Sequence, residues 1–398
     1  METTNYAWPV TSVDKGDYEA FSSWFDEHQD MLSNNQIVIW GAGIRGTEFA
    51  MFFRRKKYSN IVFADSNSQK WGGCIDEFPI ISPEEISDEE ARKILISTEN
   101  SADIEKQLEE KGYRKEEDFF VIKTFLYEKY LTEFQRKYDN RFLIMGDCEF
   151  STIAINDSDY STLSDMILEK VDRKQTKILA MHGMGLRAYY NIFMAQVASG
   201  MKPESLLVMV NLDTLTGMQH LLPRSQHAEL IKMIYDITPD APEEFKEYLQ
   251  IVNERSKKIQ VEFFTTQSGK EKATTEAKSK NYFRLNYLYR LNPEVEGLIY
   301  LDKILREALQ MGIKVLPFIP PVNYELAQML FGEKFRCRYD ENIRKIQKIV
   351  QNRGCDLLDL SYSLTADMFA EPTTPDETAN DIGRKRLTDI MTDRMQKM

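Results

Sequence analysis

The stretch QIVIWGAGIRGTEFAMFFRRKKYSNIVFAD, residues 36–65, restricts the fold more than any other part of the chain. QIVIW reads as a short apolar strand. Gly41, Gly43 and Gly46 then stand in G-x-G-x-x-G spacing, TEFAMFFRRK reads as the helix that follows, and IVFAD as a second strand ending on Asp65. Strand, tight turn, helix, strand with an acid about 20 residues after the glycines is the pattern of a phosphate-cradling α/β unit. Glycines let the backbone approach a phosphate, and a helix N-terminus offers it free N–H groups. A short amphipathic helix over 17–33 precedes this unit, and KILIST (93–98), the helical IEKQLEEKGY and the strand FFVI extend it.

A second alternation of strands and helices begins at RFLIMGD (141–147) and continues through KILAMHG, SLLVMVN, IKVLPFIPP and CDLLDLS. We therefore divide the chain into an N-terminal domain over 1–123, a linker helix over 124–140 and a second domain over 141–398, which carries a mostly helical insertion at about 218–290. Within that insertion QSGKEKATTEAK and KSKNYFR are polar, Lys-rich and aperiodic, and are expected to form an exposed loop. A length of 398 residues fits two cores better than one.

The net charge of −12 argues against a broad nucleic-acid surface, which needs a basic field. Cys74, Cys148, Cys337 and Cys355 form no CxxC pair, so neither a zinc site nor a disulfide framework is expected and a reducing, cytoplasmic setting is. No signal peptide is visible at METTNYAWPV, and no window reaches the roughly 18 apolar residues that span a bilayer.

The second half carries a resemblance, in GDC at 146–148, HGMG at 182–185, VNLD at 210–213, FIPPVNYELAQMLFG at 318–332 and PDETANDIGRKRL at 375–387. In this order these motifs resemble the SGNH (GDSL-type) hydrolase superfamily. The resemblance is strongest to the branch related to the D-alanyl-lipoteichoic acid biosynthesis protein and to polysaccharide O-acyl esterases. It implies an α/β fold overall, a Rossmann-like domain followed by a flavodoxin-like SGNH-type parallel sheet. It also implies acyl-ester chemistry on an acylated sugar or glycan precursor, with no cofactor required and no metal.

Carried over residue by residue, the resemblance puts Cys148 where the nucleophilic serine stands and Gly183 or Gly185 at the second-block glycine. Asn211 falls on the third-block asparagine, with Asp213 as the other registration, and Asp376 on the C-terminal acid. The histidine that should follow is Thr378, or Ala379 in the neighbouring register, and neither accepts a proton near neutral pH. A thiol can replace a hydroxyl as nucleophile, but at an ordinary pKa of about 8.5 it needs help from a neighbouring base or cation. His182, at the second-block turn, is the candidate to provide it; His220 and His227 are expected at the surface. Bland roles stand beside each of these: Cys148 as a small buried hydrophobe, Asn211 or Asp376 as a cap, Asn323 as a backbone partner.

The first half, through WGAGIRG, ADSNSQKWGG and FPIISPEEI, resembles the Rossmann-like half at the front of bacterial surface-sugar enzymes. That implies a nucleotide-sugar, or no ligand, at Gly41, Gly43, Gly46 and Asp65, while Trp71 is expected to be buried. Only one such half is visible, which argues against a dinucleotide and hydride transfer. Two readings stay open: an altered SGNH-type esterase or acyltransferase, and a catalytically inactive binding or scaffold protein whose Rossmann half senses a nucleotide-sugar. Oligomeric state stays open as well.

Overall fold

The computed structural model describes residues 11–75, 77–86, 92–98, 101–123, 126–215, 226–262, 275–375 and 377–398. The chain is α/β and divides into two compact units, one of Met1–Leu126 with Phe264–Lys278 and one of Tyr127–Phe263 with Ser279–Met398.

In the first unit the strands of the main sheet are β1 (Gln36–Trp40), β2 (Ile61–Ala64), β3 (Cys74–Ile75), β4 (Phe78–Ile81), β5 (Arg92–Ile96) and β6 (Phe119–Val121). They form one sheet in the order β3-β4-β2-β1-β5-β6, parallel except for the β3–β4 pair. Parallel neighbours require crossovers: α2 (Ile44–Arg55) joins β1 to β2 and α3 (Ala102–Glu110) joins β5 to β6, while α1 (Lys15–Glu27) precedes the sheet. Alternate strand residues point to opposite faces. Val38, Trp40, Val62, Ile94 and Ile96 share a core with Ile104 and Leu108 of α3. An aromatic cluster packs elsewhere in the unit: Phe21 stacks on Phe49 at 4.6 Å, and Trp24 meets Phe49 and Phe120 edge-on. Of the five parallel strands, four lie at QIVIW, IVFAD, KILIST and FFVI, and β4, in FPIISPEEI, is additional to those read from the sequence.

The second unit has five parallel strands: β7 (Phe142–Gly146), β8 (Thr176–Ala180), β9 (Ser205–Met209), β10 (Lys314–Ile319) and β11 (Leu358–Asp359). Their spatial order is β8-β7-β9-β10-β11. Numbered within the unit, this is 2-1-3-4-5, the flavodoxin-like order. Every residue of β7 and β9 is buried, as continuous apolar runs covered on both faces should be. The helices are α4 (Leu126–Gln135), α5 (Leu163–Lys170), α6 (Leu186–Ala198), α7 (Gln226–Ile237), α8 (Glu243–Glu262), α9 (Thr275–Asn286), α10 (Glu296–Gln310), α11 (Tyr324–Phe331), α12 (Glu333–Asn352) and α13 (Asp381–Gln396). Helix α10 packs on α6, α13 on α5 and α8 on α7.

The polar stretch read as an exposed loop is corrected in part. Residues 275–286 are helical, with Ser279 and Phe283 buried and the Phe283 ring edge-on to Phe331 and Phe335. The buried Phe283 anchors this helix where periodicity is weak. Residues 267–274 of that stretch lie outside the described residues.

Candidate functional site

Strand β7 runs to Gly146, where an added Cβ would come within 2.4 Å of the Phe150 ring, so glycine allows the chain to turn tightly over that side chain. Asp147 follows as the N-cap of a single 3-10 turn over Cys148–Phe150, its Oδ1 accepting from the Glu149 amide at 3.3 Å. Cys148 is half-buried rather than sealed, and its Sγ donates to Asp147 Oδ1 at 3.8 Å. The strand register places the neighbouring strand ends beside this turn: Ala180 pairs with Gly146 on one side and Val208 with Met145 on the other. Gly183 and Gly185 therefore follow β8 at the same end of the sheet. Gly183 has φ 74°, a conformation that favours glycine, and Gly185 is the N-cap of α6.

Asn211 follows β9 and is buried. Its Nδ2 donates to Glu377 Oε2 at 3.0 Å and to Asp147 Oδ2 at 3.4 Å, while its Oδ1 accepts from the Asp213 amide at 3.3 Å. The two amide hydrogens thus lie between two carboxyl groups. The strand order reverses at β7, so Asp147, Cys148 and Asn211 flank the crevice outside the carboxyl ends of β7 and β9, where open α/β sheets bind ligands.

Glu377 was not among the residues singled out from the sequence. As a residue it is partly covered, yet its Oε1 is sealed from solvent and has no hydrogen-bond partner among the described residues. Burial, then the Asp213 charge and, less strongly, that of Asp147 push its carboxyl well above the ordinary range, against the lowering effect of the Asn211 hydrogen bond. Burial and the charges of Asp147, Cys148 and Asp213 likewise hold the Tyr189 hydroxyl in its protonated form. The only sequence signal for Glu377 was its place between Asp376 and Thr378, in a motif read for an acid and a histidine.

The segment that carries Glu377 is anchored on both sides. Asn323 Nδ2 donates to the carbonyls of Pro372 and Thr374 at 2.9 and 3.2 Å, and its Oδ1 caps α11 through the Leu326 amide, so Asn323 has the backbone role. Beyond Glu377, Thr378 is buried and its carbonyl accepts from the Ala370 amide at 2.8 Å. Asn380, not Asp376, is the N-cap of α13. The buried Arg384 donates to Asp157 Oδ2 at 2.7 Å and to the carbonyls of Ala379, Ser161 and Asp159. Asp376 and His220 lie outside the described residues.

His182 packs edge-on against His227 with ring centroids 5.1 Å apart. His227 Nε2 lies 2.5 Å from the His182 carbonyl oxygen, which only accepts, so that nitrogen carries the hydrogen. His227 is buried, contrary to the surface position expected, because α7 turns it inward onto the second-block turn. Among the described residues no group of three or more His, Cys, Asp and Glu side chains is placed to hold a metal ion.

In the first unit the glycine turn sits at the sheet's own reversal point, between β1 and β5. Gly41 has φ 118°, and a Cβ there would meet Ser97 and Thr98; a Cβ on Gly46 would come within 2.0 Å of the Gly41 carbonyl oxygen. These two glycines serve close packing, whereas Gly43 is exposed and faces open space. Asp65 Oδ2 accepts from the Ala42 amide at 2.9 Å and from Lys70 Nζ at 2.7 Å, and its Oδ1 from the Asn67 amide at 2.9 Å. The strand-end acid is thus bound to the turn itself. Trp71 is 41% exposed, not buried, because its indole N–H donates to the Asp65 carbonyl at 2.6 Å and fixes the ring at the surface.

Residues 33–118 match the family model described as C2185-like, N-terminal. No curated protein matches the chain. Among solved structures the chain is similar to LAE5, an alpha/beta hydrolase enzyme from the metagenome of Lake Arreo, Spain, at 10% identity and TM-score 0.34 over 66% of this chain and 97% of that one. A likeness this loose carries no weight for chemistry. No described helix is long and apolar enough to cross a membrane.

Proposed function

We propose that the second unit is an SGNH-like acyl esterase or acyltransferase acting on an acylated sugar or glycan precursor, with Cys148 as its nucleophile. One observation carries this reading: Asp147, Cys148 and Asn211 flank the crevice at the reversal point of a 2-1-3-4-5 parallel sheet, with the Gly183–Gly185 turn at the same end. The Cys148 sulfur attacks the ester carbonyl, and Asp147 Oδ1 takes the thiol hydrogen it already faces. Backbone N–H groups of the 183–185 turn stabilise the oxyanion, for which one well-placed donor is worth roughly 3–4 kcal/mol. In the same reading the first unit takes a nucleotide-sugar over Gly43, supported by the open space there and by the exposed Trp71, and ester chemistry requires no cofactor. Four free cysteines suit a cytoplasmic, reducing setting.

The test is turnover of an O-acetylated sugar together with iodoacetamide labelling. Wild type is expected to deacetylate the sugar and to label selectively at Cys148, and Cys148→Ala to do neither. Undiminished turnover by Cys148→Ala removes the residue from the mechanism. Inertness of folded wild type in both assays favours the second reading, a binding protein without turnover, which Thr378 in the place of the base supports.

A further inference from the structure

We propose that Glu377 is the proton donor to the leaving oxygen of the ester, performing the task for which this chain has no C-terminal histidine. The inference rests on the Cys148 reading above and adds a catalytic residue that the motif comparison does not contain. Three observations carry it. Glu377 reaches the switch-point crevice from a different part of the chain and joins the Cys148 turn through one bridging side chain, since Asn211 Nδ2 contacts both Glu377 Oε2 and Asp147 Oδ2. Asn211 grips only one of the two Glu377 oxygens, and the other, buried and without a partner among the described residues, is a costly arrangement unless a bound molecule meets it. The residue as a whole is only partly covered, while its Oε1 is sealed from solvent.

The electrostatics agree. Asp147 from the β7 end and Asp213 from the β9 end face the Glu377 carboxyl, and burial joins them in favouring its neutral, proton-carrying form. The Asn211 bond opposes this. A carboxyl held neutral by its surroundings can serve as a proton donor.

The thiol proton passes to Asp147 as sulfur bonds to the carbonyl carbon. Collapse of the tetrahedral intermediate breaks the bond to the leaving oxygen, which takes the Glu377 proton and departs as an alcohol. The acyl group remains as a thioester on Cys148. Water, or the hydroxyl of an acceptor, then gives its proton to the Glu377 carboxylate as it attacks the thioester, and Asp147 returns its proton to the sulfur.

The experiment exploits leaving-group chemistry. An alkoxide needs a proton to depart, and 4-nitrophenolate does not. Glu377→Gln should therefore keep the first-turnover burst of 4-nitrophenolate from 4-nitrophenyl acetate within a factor of about three, while cleavage of an O-acetylated sugar falls by about 10²–10⁴-fold, the range of general acid catalysis. In wild type, sugar-ester cleavage should decline as pH rises past the Glu377 pKa while the aryl-ester burst does not. Glu377→Asp, which keeps an acid at shorter reach, should recover part of the sugar-ester rate. Equal loss on both esters with no recovery by Glu377→Asp, unchanged rates on both, or the selective loss appearing in Asp376→Asn instead, each overturns the assignment. If wild type itself gives no burst and no labelling of Cys148, the ester reading fails, and that result is distinct from failure of the Glu377 role alone.

Discussion

The side-chain nitrogen of Asn211 lies 3.0 Å from a carboxyl oxygen of Glu377, a residue 166 positions later in the chain. The same nitrogen reaches Asp147 at 3.4 Å, so one amide separates two acids at the carboxyl end of the sheet. The asparagine that the family resemblance assigns to the third block is here committed to two carboxyl groups, and the loop that carries Glu377 is fastened to the strand end through it.

Replacing Asn211 by Ala should therefore destabilise the second unit. Two buried carboxyl groups lose their shared donor, at a cost of about 1–3 kcal/mol. Urea unfolding should show a lower midpoint with an unchanged slope. A midpoint equal to that of wild type would mean the bridge contributes nothing net.

Glu377 makes stability fall with pH. Its folded pKa is raised, so between the ordinary carboxylate pKa and the raised value the native state binds more protons than the unfolded state. Stability is thus highest below the ordinary value and declines as pH rises above it. Glu377→Gln should remove that decline, so the variant gains on wild type as pH is raised from about 4. Parallel stability curves for the two proteins would contradict the buried, neutral acid.

Lys177 acts in the opposite direction. Its amine is fully buried, donates to the Phe134 carbonyl and to Gln196 Oε1 at 2.8 Å each, and is pushed down to about 7 by burial. Between pH 7 and the ordinary 10.5 the unfolded chain binds the extra proton. Stability should therefore rise with pH through that window, by at most about 1.4 kcal/mol per pH unit. In Lys177→Met this rise should disappear. Calorimetric melting of both proteins at several pH values measures it.

Arg384 and Asp157 form an ion pair with 1% and 3% of their side-chain surfaces exposed. Arg384→Met leaves the buried Asp157 without its cation and frees the carbonyls of Ala379, Ser161 and Asp159. A loss of about 3–5 kcal/mol is expected. Because Ala379 lies two residues after Glu377, ester turnover should fall as well, even at temperatures where the variant remains folded. A variant with unaltered turnover and melting temperature would sink this prediction.

The glycines of the 41–46 turn should separate by role. Gly46→Ala drives a methyl group into the Gly41 carbonyl and should unfold the first unit or lower its melting temperature strongly. Gly43→Ala points its methyl into open space and should leave the fold near wild type. If a nucleotide-sugar binds over Gly43, the same variant should weaken its thermal-shift response. Equal melting temperatures for the two variants would refute the packing argument.

The sequence by itself determined the α/β class and most of the strands. An apolar run ending in glycine or an acid has few other homes, which is why QIVIW and the β7 run appear as Gln36–Trp40 and Phe142–Gly146. It also placed Cys148 and Asn211 at strand ends, since the motif order carries that information. Only the tertiary structure decided which strands are neighbours and therefore which ends share a crevice. Crossover connections leave no mark of their spatial order in local periodicity. Glu377 enters the cluster through contacts with residues more than 160 positions away, and His227 is buried for the same kind of reason. The buried side of α9 leaves little periodic signal, because Phe283 is the apolar residue among its buried described positions and Ser279 and Asn286 are polar. Burial of polar groups is fixed by what packs over them, and a chain states that only once it has folded.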